Sequence, residues 1–224
     1  IIKDRLIDTV IGCTISFIVS LIVFPVWEHQ QIKDLMKALV DANKNYFNAG
    51  ASLLKRTTEQ EDLYKAARKQ AFVALANLSD NFQRVLSEKR KTNEVAFYHQ
   101  FVSSSYMLTA HIASLSALIK RYDDNLKDSD LNPLVININN KFKRADCVLN
   151  GELLKTSVSN RNAPIINKIQ TLLLQRQKEI EEGKSDVQTQ ARSMLSSFKA
   201  VTDEFEIIDS IVDDEVKILQ RIIK

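Results

Sequence analysis

Thr9–Trp27 reads TVIGCTISFIVSLIVFPVW, nineteen residues without a charge. As an α-helix this run would be about 28 Å long, close to the hydrocarbon thickness of a bilayer. Everything after it is charge-rich and almost free of Gly and Pro. The contrast predicts a membrane helix at residues 1–27 and a helical domain at 28–224. The other reading of such a run is the core helix of a soluble protein, but those seldom go this long without a charge. A signal peptide fits poorly. The flank is mixed (Lys3, Asp4, Arg5, Asp8), and no small-residue cleavage site follows. The chain opens on Ile1, so the expectation is a piece of a longer polypeptide.

The run has an internal pattern. Asp8, Gly12, Ser16 and Ser20 are spaced four apart and share one side of a helix, while Ile11, Ile15, Ile18 and Ile22 occupy another. Gly12, Ser16 and Ser20 form a small-residue ridge, which lets a second membrane helix approach closely. The predicted partners are therefore other transmembrane helices of the same polypeptide or of a homo-oligomer, with lipid around them. A lone anchor that carries small residues by chance is the other reading. Trp27 suits an interfacial anchor, and Pro25 would loosen the helix beside it. Asp8 heads the ridge, where a carboxylate is a candidate for proton or substrate coupling, with Arg5 one turn before it. An interfacial Arg5–Asp8 pair, or a carboxylate favoured in a helix's first turn, explains the same residues.

Composition bounds the remainder. With 45% hydrophobic and 26% charged residues the chain is an ordinary folded one, not a disordered one. A net charge of +3 gives no reason to expect nucleic acid, and Lys141, Lys143 and Arg144 read as a solvated helix face. The two cysteines, Cys13 and Cys147, make neither a disulfide framework nor a metal set.

Sparse punctuation predicts helices at 28–56, 60–90, 93–122, 133–150, 163–182 and 186–224, the last with a break near 200–203. Pro133 after Asn132, and Pro164 close after Asn162, read as capped helix starts. Gly151 and Gly183 stand where helical patterns end. Leu63, Ala67, Ala71, Leu75, Leu78, Phe82 and Val85 recur at helical spacing, as do Phe198, Val201, Phe205, Ile208 and Ile211 in the last segment. The strand-like LVININ at Leu134–Asn139 continues into the seam Val135, Ile138, Phe142, Ala145, Leu149, so it is assigned to helix. The expected fold is all-α: one transmembrane helix followed by a cytoplasmic bundle of long antiparallel helices.

Catalytic chemistry has little footing. The glycines are isolated, so no phosphate loop exists. His29, His99 and His111 share no metal-ligand spacing with carboxylates or cysteines. Glu206, Asp209 and Asp213 read as a solvated face, and Ser103, Ser104 and Ser105 lack a base or elbow motif. The expectation is a non-enzyme with no cofactor, metal or nucleotide.

The residues do resemble a family. Arg5-x-x-Asp8-Thr9-x-x-Gly12, running into an apolar helix that ends Phe24-Pro25-x-Trp27-Glu28, resembles the last membrane helix of the fusaric acid resistance family. These are bacterial inner-membrane proteins of the YccS and YhfK type, related to aromatic carboxylic acid exporters. Tyr64-x-x-Ala67-Arg68-x-x-Ala71-Phe72-x-Ala74-Leu75-Ala76-Asn77-Leu78, Phe82-Gln83-Arg84-x-Leu86-Ser87-Glu88 and His111-Ile112-Ala113-Ser114-Leu115 resemble its cytoplasmic helices. The family pattern commonly has Pro after the Leu-x-Glu element, where this chain has Lys89. The likeness is best over residues 5–120 and weak beyond about 130.

The resemblance implies the C-terminal part of a transporter for small organic, aromatic acids, driven by the proton gradient, with residues 28–224 in the cytoplasm. Lys33, Lys37 and Lys44 after the crossing suit that orientation, though Lys3 and Arg5 precede it. The competing reading is a single-pass anchored helical module that binds a partner and moves no solute.

Overall fold

The computed structural model describes residues 2–23, 28–55, 57–86, 92–121, 128–152, 163–183, 187 and 189–223. These residues are helical throughout, with no strand among them: α1 (Ile2–Val23), α2 (Glu28–Ser52), α3 (Thr58–Leu86), α4 (Thr92–Arg121), α5 (Asp128–Leu149), α6 (Ala163–Glu181) and α7 (Gln190–Ile222). A single 3₁₀ turn, Leu53–Lys55, follows α2 and tightens the corner into α3. Phe24, Pro25, Val26 and Trp27 lie outside the described residues.

The LVININ segment is helical, as its longer seam requires. Two local expectations are corrected. The first concerns Pro133, which does not open its helix. α5 begins a turn and a half earlier at Asp128. Leu131 and Leu134 on either side of the proline are buried, and this anchoring compensates for the one backbone bond that the ring removes. The second concerns α7, which runs unbroken through 200–203. Thr202 satisfies its hydroxyl on the Phe198 carbonyl at 3.0 Å and so stays in the helix. Thr189 is the N-cap of α7, accepting from Arg192 N at 3.2 Å.

Gly151 and Gly183 do end helices, with φ of 78° and 79°. At Gly151 the Glu152 N–H donates to Cys147 O at 2.8 Å and the Gly151 N–H to Val148 O at 3.0 Å, the paired bonds of a Schellman cap.

A four-membered ring of helices forms the core: α2 packs on α4 and α5, and α7 packs on the same two. α3 covers the α2–α4 side, and α6 lies against α7. Side-chain pairings give the directions. Asn43 meets Thr109, and a Cβ at Gly50 would meet Ser116, so α2 and α4 run parallel with one constant offset. Asn137 and Lys141 meet Asp209 while Arg144 meets Asp213, so α5 and α7 are also parallel. The antiparallel contacts of the predicted bundle join α2 to α3, α3 to α4, α4 to α7, and α2 to α5. The parallel pair α2–α4 arises because α3 supplies the return between them.

Phe47, Phe142 and Phe205 fill the ring centre, Phe205 standing edge-on to Phe47 at 5.9 Å. In α3 the expected seam is buried from Ala67 to Val85, but it begins at Tyr64 and not at Leu63, which is 56% exposed. Among the described residues, Glu94–Arg121 of α4 is the helix long and apolar enough to cross a membrane, yet 44% of that window is buried inside the protein. It serves as the core helix under α2, α3 and α7.

α1 behaves differently. Every described side chain in it, residues 3–19, is exposed. Removing residues 1–27 is therefore expected to leave a soluble, mostly helical protein. Loss of the helical circular dichroism signal on truncation would instead make α1 part of the bundle's fold.

Candidate functional site

The first candidate surface is α1. Leu6, Ile7, Val10, Ile11, Ile15, Phe17, Ile18 and Val19 are all exposed large apolar residues, which puts apolar surface around most of the helix. A soluble amphipathic helix would show one apolar stripe only. Its threonine hydroxyls are satisfied internally: Thr9 Oγ1 donates to Arg5 O at 2.9 Å and Thr14 Oγ1 to Val10 O at 2.7 Å. That arrangement leaves these hydroxyls in no need of water, as hydrocarbon requires.

Asp8, Gly12 and Ser16 are exposed along one side of α1, and nothing lies within 4 Å of a Cβ built on Gly12. Ser20 belongs to the same helix, but its side chain is outside the described residues, as is all of Trp27. Arg5 and Asp8 are both exposed, and among the described residues no ion pair joins them. The Arg5 backbone carbonyl accepts from Thr9 Oγ1.

The second candidate surface lies inside the ring, where each of the four helix seams carries a polar clasp. Between α2 and α4, Thr109 donates to Asn43 at 3.0 Å. Between α4 and α7, Ser105 donates to Glu215 at 2.7 Å, and His111 lies 2.8 Å from Glu204. Between α5 and α7, Asp209 takes hydrogen bonds from Asn137 at 2.9 Å and Lys141 at 2.8 Å. Between α2 and α5, Asn48 and Asn139 exchange amide bonds of 3.0 and 2.7 Å. Buried polar pairs of this kind fix which helices meet and in what register.

These clasps revise three sequence expectations. Lys141 is not on a solvated face: it is 9% exposed and held by Asp209. Asp213 is partly buried, which opposes ionisation, but the Lys217 hydrogen bond and the charges of Lys141, Lys217 and Arg144 hold its carboxyl below the usual range. Ser105 is fully buried and has an acid beside it.

Glu215 was missed in the sequence. It occupies the apolar stripe Ile208, Val212, Glu215, Leu219, and that placement was the available signal. Burial pushes its carboxyl up to about 8, while the Ser105 hydrogen bond works the other way. Tyr46 and Tyr64 form a further buried pair, their hydroxyls 3.3 Å apart. Burial raises the Tyr46 phenol well above its ordinary value.

Among the described residues no three His, Cys, Asp or Glu side chains are grouped to hold a metal. An open groove of about 610 Å³ runs between α2 and α3, with Ala38, Ala42, Ala66 and Ala74 along it. Its lining holds Asp41 and Lys69 but no nucleophile and no histidine.

No family model matches the chain, and no solved structure does. A curated relative, the inner membrane protein YccS of Escherichia coli (strain K12), is 26% identical to it over 116 residues. The match takes in 50% of this chain and 16% of that protein, so the chain spans about a sixth of its relative's length. An all-helical chain with an exposed, largely apolar helix and a match to an inner membrane protein is similar to a YccS-like membrane family.

Proposed function

We propose that this chain is the C-terminal part of an inner-membrane transporter that exports small organic, aromatic acids in exchange for protons. In this reading α1 is its last membrane helix and residues 28–224 form a cytoplasmic bundle that assembles or regulates it. The observation that carries the reading is α1: a helix uncharged from Thr9 onward, with large apolar side chains exposed around most of its circumference, in a chain similar to an inner membrane protein. Asp8 would be the coupling carboxylate and Gly12, Ser16 and Ser20 the packing ridge. The domain carries out no enzymatic step and takes no cofactor.

The test is substitution in the full-length protein, with export and membrane level measured together. Gly12→Leu or Ser16→Leu places bulk on the ridge and is expected to reduce assembly and export, because membrane helices pack through close backbone approach. Ile15→Leu, on the other side, should be nearly silent. Asp8→Asn should reduce export and leave membrane insertion intact. Equal effects of Gly12→Leu and Ile15→Leu would remove the packed face. Normal export by Asp8→Asn would remove the coupling role. No export by the wild-type full-length protein would favour the anchored module without transport.

A further inference from the structure

Glu215 has no part in the reading above. It is 1% exposed on α7, and the one hydrogen bond that the structure gives its carboxyl comes from Ser105 on α4. Ser105 in turn offers its carbonyl to Thr109, and Thr109 bonds Asn43 on α2. A chain of polar groups thus crosses three helices and ends on an acid. None of the groups in that chain is a cation.

Several cations on α7 and on the helices around it are engaged elsewhere. On α4, His111 is paired with Glu204. On α5, Lys141 and Arg144 face Asp209 and Asp213. On α6, Arg176 is held by Glu179. On α7 itself, Lys217 bridges Asp213 and Asp214 at the exposed side. On α2, Lys37 reaches Asn150. The influences on the Glu215 carboxyl are accordingly burial and the Ser105 hydroxyl alone. A carboxylate with one donor and no countercharge is costly in such a site, so the neutral acid is the form that fits.

We propose that Glu215 is a proton-binding site at the α4–α7 seam, and that loss of its proton loosens this seam and with it the polar chain to α2. The folded chain then holds a proton that the unfolded chain releases above the ordinary value of 4.5. Folded stability attributable to this group is complete below that value and falls as pH rises toward about 8, where the folded carboxyl itself ionises. Above that it is level. The protonated clasp is therefore tight in mildly acid conditions and weak in mildly alkaline ones.

The experiment is urea unfolding of the full chain in detergent micelles, followed by circular dichroism across the range from about pH 5 to 9. The folding equilibrium of the wild type is expected to weaken by nearly tenfold per pH unit up to about 8. Glu215→Gln keeps the shape and cannot ionise, so it should remove that part of the slope and be the more stable protein at the alkaline end. Ser105→Ala removes the donor to the anion and should move the break in the profile to higher pH, an effect that simple loss of packing does not give. Where Glu215→Gln fails to fold, the carboxyl carbon shift of Glu215 in wild-type protein gives its titration directly. A midpoint near 4.5, or equal slopes for wild type and Glu215→Gln, would overturn the proposal.

Discussion

Phe205→Ala is expected to cost the bundle about 4 kcal/mol, the largest loss from a single truncation in this chain. Phe205 is fully buried on α7 and stands edge-on to Phe47 of α2, with ring planes at 89°. Phe47 in turn meets Phe142 of α5 at 6.1 Å. Phe205 is the α7 member of an aromatic cluster that joins three of the four ring helices, so its loss takes α7 out of that cluster. Part of the loss is transfer of the ring out of water. The rest is the cavity, because helices pinned by clasps on every seam cannot collapse into it. Unfolding by denaturant should show the shift with little change in slope. Met107→Ala is the control: that side chain is 55% exposed, and its loss should stay within about 0.5 kcal/mol. Losses of equal size at the two positions would mean that the aromatic cluster is not the centre of the core.

The second large effect is expected at Gly50. A Cβ there would run into the Ser116 hydroxyl of α4. That hydroxyl is itself fixed, donating to Ile112 O at 2.8 Å. Glycine is thus required by proximity and not by backbone angle. Gly50→Leu should cost about 3 kcal/mol through overpacking. Gly50→Ala should cost less, because alanine's helix preference returns up to about 1 kcal/mol. The double variant Gly50→Leu with Ser116→Gly makes room on the facing helix and should recover part of the stability. A silent Gly50→Leu would show that α2 and α4 stand further apart.

Much of this architecture was legible because long helices announce themselves by spacing. Leu75, Leu78, Phe82 and Val85 recur at helical intervals, and all four are buried. Gly151 and Gly183 marked ends because few other residues adopt a left-handed backbone at a helix terminus. Pro133 misled because a proline is tolerated inside the opening turns when its neighbours are anchored in the core. Lys141, Ser105 and Glu215 misled for one shared reason. Polar residues are assigned to solvent by default, and only the pairing of distant helices reveals that their partners are inside. Asp209 lies 68 residues from Lys141, and Glu215 lies 110 from Ser105. The uncharged run in α1 was legible as composition.

The parallel, in-phase pairing of α2 and α4 has a mechanical consequence. Four residues separate α1 from α2, a span of at most roughly 18 Å, so any pull on α1 enters the bundle through α2. α2 touches α3, α4 and α5 along its length, and its clasps to Thr109 and Asn139 lie across its axis. Tension along that axis loads these cross-links side by side, in shear, and not one after another as in unzipping. A pull on α1 would therefore load several helix seams of the bundle at once.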